Sequence, residues 1–409
     1  MAKVHPFRAY LAEATLVADM AALPYDVFTR DEATAEISRH PLSFLRIDKT
    51  AALLDGVGEY NEVVYSTARE LLDADMAAGR YVYCDEERFY VYQMSWTESI
   101  DGSDVQRLRT GLLADVDSDD YRLGVMRRHE NTRVEKLADR VAHIRALNAQ
   151  TGPVLLAHRS SPDISELLFR LTQVTGPLYD FVAEDGVGHA IWAVDPAENE
   201  TVRQSYAALE TLYIADGHHR AQAAFDVGDR GILAVLFSSD ELDIKPYNRC
   251  VKDLNGLEAS AFLEQLSACF TVSKVDADIA PEPDRRGLFA MHLQNQWYQL
   301  VFDEQQRPAD LTAALDVSVL QDRVLAPLLG IDNPKTSDRI AYVGGTLGLA
   351  GLLQRARNYG THDQAIAFAL YPTSMDEFFA VADNSELMPP KSTWFAPKPR
   401  SGMLLKPLQ

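Results

Sequence analysis

The chain has 409 residues, 47% of them hydrophobic, and carries 60 acidic against 39 basic side chains for a formal net charge of −21. That length allows two or three domains, and the composition is that of a globular chain without a low-complexity tail. The acidic balance argues against nucleic acid as a partner, because such binding needs an extended basic surface.

Three cysteines, Cys84, Cys250 and Cys269, lie apart without CxxC spacing. They predict no disulfide framework and a reducing, cytoplasmic setting. The first twenty residues hold no sustained apolar run of the signal-peptide kind, and no stretch approaches the ~18 apolar residues of a membrane helix.

In chain order, His5-Pro6-Phe7-Arg8 and Leu23-Pro24-Tyr25-Asp26-Val27 read as extended or turn segments, since proline disfavours helix at the residue before it. Helices are predicted near 31–37 and over 59–78. Segments 81–84 and 88–94 flank Asp85-Glu86-Glu87 as the arms of a hairpin would, and 107–116 is a further strand. A helix is expected across 127–149, with Thr132 and Glu135 at capping-box spacing and Val134, Leu137, Val141, Ile144 and Leu147 on one face. Short strands recur at 154–157, 189–194, 212–215 and 232–237.

Beyond residue 252 come a helix over 259–268, a strand over 270–275 and a hairpin from 288–293 and 297–302. Helices near 311–329 and 347–358, a strand over 365–370 and a helix over 375–382 complete the series. The order is α+β rather than the regular alternation of a doubly wound sheet. It divides as 1–250, an α/β accessory region at 251–385 and a Lys/Pro-rich tail at 386–409.

The densest chemistry stands at 211–225, TLYIADGHHRAQAAF. Leu212-Tyr213-Ile214 is a short buried strand and the Ala-rich run from Arg220 opens a helix. Gly217 permits a left-handed turn between them. The free N–H groups of the helix start favour an anion, most often phosphate, and Arg220 offers a planar fork for phosphate oxygens. Asp216 supplies a carboxylate that can hold a metal or take a proton. The other reading is a capped helix with solvated histidines.

Two more clusters stand out. His129-Glu130-Asn131-Thr132 precedes the 127–149 helix face; Glu130 reads either as a partner of the helix dipole or, with His129, as a base or metal-ligand pair. The tail Met388-Pro389-Pro390-Lys391-Ser392-Thr393-Trp394-Phe395-Ala396-Pro397-Lys398 joins two lysines and two hydroxyls to a proline-stiffened backbone. It reads either as a pre-ordered anion clamp or as a rigid solvated tail. GIDNPKT at 330–336 is one residue short of a P-loop and has Pro334 in place of its second glycine. No HExxH or GxSxG occurs.

Ala215-Asp216-Gly217-His218-His219-Arg220 resembles the signature of the free L-serine kinases built on the ParB/sulfiredoxin fold. With HENT at 129–132 and PPKSTWFAPK at 389–398, the chain resembles a large bacterial family linked to the same activity, nearly end to end from His5 to Gly402. The resemblance implies a ParB/sulfiredoxin-like nucleotide-binding core with an additional α/β C-terminal domain. It further implies phosphoryl transfer from ATP or ADP, with Mg²⁺, to free L-serine.

Carried over by position, Gly217, His218, His219 and Arg220 face phosphates, together with Lys391, Ser392, Thr393 and Lys398. Asp216 orients serine or Mg²⁺, and Glu130, with Asp216 as the other candidate, is the base. His218 joins the catalytic set, and His129, Thr132 and Arg249 contact substrate. One departure is Asn248, where a Pro-x-His-Arg pattern calls for histidine; asparagine cannot titrate. Relatives with similar boxes leave two other classes open, a nucleotide-binding regulator of ParB type and a metal-dependent phosphohydrolase using His129, Glu130, His218 and His219.

Overall fold

The computed structural model describes residues 1–100, 103–275, 281–360 and 364–408. They form a mixed α+β protein of two compact units. The first comprises Met1–Arg128, Thr132–Leu242 and Pro397–Gln409, and the second comprises His129–Asn131 and Asp243–Ala396.

The first unit is built on a nine-stranded sheet. Across it run Met126–Arg127, Leu212–Asp216, Val154–His158, Gly231–Ser238, Ser103–Asp117, Tyr90–Ile100, Gly188–Ala193 and Tyr179–Val182, with Val4–His5 paired to Ser103–Asp117. Val154–His158 and Gly231–Ser238 are parallel neighbours buried at every position. Their apolar runs, Val154–Ala157 and Ile232–Phe237, fit strands covered on both faces. Val154, Leu156, Ile214, Ala234 and Leu236 share one core with Ala221 and Ala224 of the helix His218–Asp226. The helix Val134–Leu147 packs on that helix in turn.

Several expectations are corrected here. Tyr81–Arg88 is one strand through Asp85-Glu86-Glu87, and it pairs with Phe7–Ala12 rather than with Tyr90–Ile100. It lies at the margin of a second, four-stranded sheet, where acidic side chains point to solvent at no cost and discourage further pairing. The helix expected from residue 127 begins at Val134. Its N-cap is Arg133, whose own side chain makes no capping hydrogen bond, so the Thr132–Glu135 capping box does not form.

The helices Pro162–Val174 and Asn199–Ala207 were not anticipated. In the second unit a six-stranded sheet runs Phe270–Val275, Gln296–Phe302, Leu288–Leu293, Ile366–Leu370, Tyr247–Val251 and Ile340–Gly344. The expected hairpin 288–302 is present, and Gln294 and Asn295 at its tip both take positive φ, the backbone that a tight hairpin of this hand demands. Where one helix was expected near 311–329, a turn of α-helix at Asp316–Leu320 passes into a π-helical turn at Gln321–Leu325. Gly348–Tyr359 covers the sheet through Leu352 and Ala356.

The strand Leu404–Pro407 returns to the first unit's four-stranded sheet, between Phe7–Ala12 and Ala149–Gln150. Its Lys406 is wholly buried, with Nζ 2.7 Å from Asp229 and 3.1 Å from Asp115. Gln150 donates to the same Asp229 oxygen. Removing the cation strands two buried carboxylates, which costs far more than an exposed pair would. Lys406→Met is therefore expected to destabilise the protein by about 3–5 kcal/mol in urea unfolding; a change below about 1 kcal/mol would contradict this account.

Three of the four buried histidines described in the same unit have lowered pKa values. Burial lowers the pKa of His143, His158 and His189, the last to about 3, where Arg400 adds to the effect. The unfolded chain binds these protons near the ordinary pKa of ~6.5 and the folded chain only at lower pH. The unfolded state therefore holds more protons below ~6.5, so stability rises with pH in that window and falls as the solution is acidified through it. Urea unfolding should show a flat profile above about pH 7, then a loss approaching about 1.4 kcal/mol per pH unit from His189, with contributions of the same sign from His143 and His158. A profile flat down to pH 5 would be inconsistent with neutral buried imidazoles.

Candidate functional site

The strand Leu212–Asp216 pairs with Val154–His158 in a register that shifts between Ile214 and Asp216. Such an irregularity re-aims the side chain that follows it. Here it falls at Asp216, immediately before Gly217 takes the left-handed backbone, φ +95°. An L side chain at Gly217 would be strained there, and its Cβ would sit 3.0 Å from the Arg220 guanidinium. The glycine is thus needed both for the turn and for the arginine that folds back over it. The helix His218–Asp226 begins at once, anchored in the core by Ala221 and Ala224.

Asp216 is held between two cations. Its Oδ2 accepts from Arg220 Nη2 at 2.7 Å and its Oδ1 from Lys398 Nζ. Arg220 also donates from Nη1 to the carbonyl of Pro153. Both cations are largely buried. Counting these three side chains, the corner keeps one positive charge in surplus beside a helix start, an arrangement that favours an anion. His219 Nε2 accepts the backbone N–H of Arg133 at 2.9 Å, so that nitrogen carries no proton and the ring is held as one tautomer. His218 is buried at the first helical position.

The first unit therefore gathers Asp216, Gly217, His218, His219, Arg220 and Lys398, while Thr132 lies beside Arg133 in the chain. The other sequence candidates belong to the second unit. There His129 is buried; its Nε2 lies 3.0 Å from Thr393 Oγ1, its carbonyl accepts Met388 N–H, and its ring meets Phe378 edge-on. Glu130 is half-buried beside it in sequence. Arg249 is buried and donates to the carbonyls of Tyr247 and Lys391. Lys391, at φ +63°, places its ammonium 5.4 Å from the centre of the Tyr247 ring.

Ser392 Oγ donates to the Pro389 carbonyl at 2.6 Å, and the Ser392 carbonyl accepts Thr373 Oγ1. The tail is thus ordered by its own hydrogen bonds and is not a free solvated extension. Asn248 accepts Leu370 N–H through Oδ1 at 3.1 Å, a hydrogen bond between strands of the sheet. Sequence reasoning missed the Pro153 carbonyl and the Arg133 N–H, which are backbone groups and leave no residue signature. It also missed Tyr25, which a half-buried proline-flanked turn brings within electrostatic reach of Arg220.

A family model described as "Protein of unknown function (DUF1015)" matches residues 4–318. No curated protein matches the chain. Among solved structures, the chain is similar to SbnI with a C-terminal truncation from Staphylococcus aureus, at 13% identity and TM-score 0.39, covering 69% of this chain and 82% of that one. A mutant free serine kinase in complex with ADP is matched at 14% identity and TM-score 0.38, over 74% of this chain and 90% of the other. A conserved hypothetical protein from Pyrococcus furiosus is matched at 14% identity and TM-score 0.36, over 70% and 93%.

Proposed function

The chain belongs to the DUF1015 family, whose description leaves the reaction open, and we propose that it is a nucleotide-dependent kinase that phosphorylates free L-serine on a ParB/sulfiredoxin-like core. The observation that carries the reading is the Asp216–Arg220 corner. A left-handed glycine, a core-anchored helix start and two buried cations meet there on one carboxylate.

Phosphate fits this donor set. The N–H groups that open the helix, the Arg220 fork and the Lys398 ammonium would hold the oxygens of ATP or ADP. Both oxygens of Asp216 are engaged by cations. Asp216 would hold Mg²⁺ only where Arg220 or Lys398 turns from it toward phosphate, and the same exchange would leave its carboxylate able to orient the acceptor hydroxyl. Mg²⁺, when bound, would neutralise charge on the phosphoryl oxygens. What the protein itself contributes is position and charge, since phosphoryl transfer asks for little covalent chemistry. His219, whose Nε2 accepts the Arg133 N–H, keeps the phosphate role that the motif resemblance gives it. Glu130 is assigned as the base that takes the hydroxyl proton, on the strength of the HENT motif. Lys391, Ser392, Thr393, His129, Thr132 and Arg249 keep the phosphate and substrate roles that the motif resemblance gives them.

The test is phosphorus NMR of the purified protein with Mg²⁺, L-serine and either ATP or ADP, beside serine-free controls. A phosphoserine resonance that requires serine is expected, and the nucleotide that supports it identifies the donor. Free phosphate appearing equally without serine would replace the kinase with a phosphohydrolase. Intact nucleotide in every sample would leave a regulator.

A further inference from the structure

Arg109 is wholly buried in the first unit and belongs to none of the motifs above. It sits on the strand Ser103–Asp117 where that strand leaves solvent: Ser103–Gln106 are exposed and Gly111–Val116 are buried. A cation at that point forfeits its hydration unless the fold supplies partners. Nε donates to the Glu241 carbonyl at 2.9 Å and Nη1 to the Pro397 carbonyl at 3.2 Å. The guanidinium lies 5.1 Å from the centre of the Trp96 ring and 5.4 Å from that of Phe237. A flat, weakly hydrated cation suits such a place better than an ammonium does. Glu241 Oε2 accepts the N–H of Thr110 at 2.9 Å, so the strand is tied to Glu241 twice.

The Pro397 carbonyl belongs to the peptide unit that joins Pro397 to Lys398. Proline fixes its own φ, so a grip on its carbonyl sets the plane from which the Lys398 side chain departs. An ammonium on a flexible four-carbon stem is placed only as well as its Cα is. Lys398 lies in neither helix nor strand, just after the chain re-enters the first unit at Pro397. Its backbone therefore depends on such individual hydrogen bonds. On the far side, the Arg400 N–H donates to Tyr92 Oη at 3.3 Å, and the Arg400 side chain pairs with Asp185 at 2.6 Å.

We propose that Arg109 is a positioning residue of the phosphate corner. It fixes the backbone at Pro397 so that the Lys398 ammonium reaches Asp216 and, when nucleotide binds, the phosphate oxygens. The grip falls on the backbone, so the Lys398 side chain can turn from Asp216 to phosphate while its Cα stays in place. In its bearing on phosphate the proposal rests on the kinase reading above; as a clamp on Lys398 it stands on hydrogen bonds within the first unit.

The experiment is reductive methylation of the whole protein with formaldehyde and cyanoborohydride, without nucleotide, read lysine by lysine by mass spectrometry. Lys398 and Lys406 are buried and Lys335 is exposed, so the first two should label slowly and the third fast. Arg109→Gln should speed the labelling of Lys398 about tenfold and leave Lys406, further along the same segment, within about twofold. Trp96→Leu removes a half-buried ring that backs the guanidinium. It should speed Lys398 about threefold, and it decides the matter if Arg109→Gln does not fold.

ADP titration in a double-mutant cycle gives the functional readout. Arg109→Gln should weaken ADP about tenfold in the natural chain and by less than about twofold in Lys398→Met, because both changes act through one ammonium. Losses that add overturn the inference. So does Lys398 labelling that the variants leave unchanged, or equal acceleration of Lys398 and Lys406, which marks general loosening. If Arg109→Gln frees Lys398 in a protein that binds no nucleotide, the clamp stands and the kinase reading falls. If ADP affinity needs Lys398 but not Arg109, the kinase reading stands and the clamp falls.

Discussion

Replacing Arg220 with alanine should weaken ADP or ATP binding by about tenfold to a hundredfold, the loss expected for a charge-assisted fork on phosphate. The structure adds a second effect that the motif alone does not suggest. Arg220 also carries the Pro153 carbonyl and one oxygen of Asp216, so the variant should lose about 1–3 kcal/mol of stability. Melting and nucleotide titration on the same sample separate the two. Arg220→Lys should keep part of the affinity through its charge and lose the bidentate component. Undiminished affinity in Arg220→Ala would remove the residue from the phosphate site.

Glu130→Gln should lower kcat for serine phosphorylation by about 10²- to 10⁴-fold, with KM for serine and nucleotide nearly unchanged. The amide keeps the size and polarity of the carboxylate but cannot take a proton at neutral pH. Asp216→Asn is the companion, and it should behave differently. With the carboxylate gone, Arg220 and Lys398 lose their shared counter-charge, so nucleotide affinity should change along with turnover. Full turnover in Glu130→Gln beside a collapsed kcat in Asp216→Asn would move the base to Asp216. Equal losses of affinity in both would place neither at the reacting hydroxyl.

The corner was readable from sequence because everything that makes it is local. Four apolar strand residues, one glycine and an alanine-rich start fix a turn within fifteen positions, and the structure keeps that order down to the positive φ of Gly217. Its partners were not readable in the same way. Lys398 meets Asp216 from the far end of the chain, and the tail was legible only as a concentration of unusual residues. Arg133 enters through a peptide N–H, which no side chain advertises.

The same division explains the errors in the fold. Asp85-Glu86-Glu87 has turn composition, but sheet pairing is decided by distant strands, and Tyr81–Arg88 finds Phe7–Ala12. Thr132 and Glu135 have the spacing of a capping box. His219 instead occupies the helix start, and Arg133 is the residue at the cap.

The strand Leu404–Pro407 has a bearing on how the protein is made. Tyr81 donates to the Gly402 carbonyl across 321 residues, and the neighbouring strand Phe7–Ala12 has Leu404 and Leu405 as its partners on one side. Contacts of such long range form late, because closing the intervening chain must precede any gain from the pairing. On a ribosome, Phe7–Ala12 therefore waits with one edge open while nearly the whole chain emerges, and an open edge invites pairing with other chains. Lys398 arrives with that same late segment. The proposed phosphate corner thus gains its second cation only once Lys398 is in place, and a protein clipped before Lys398 should show weakened nucleotide affinity and a tendency to aggregate.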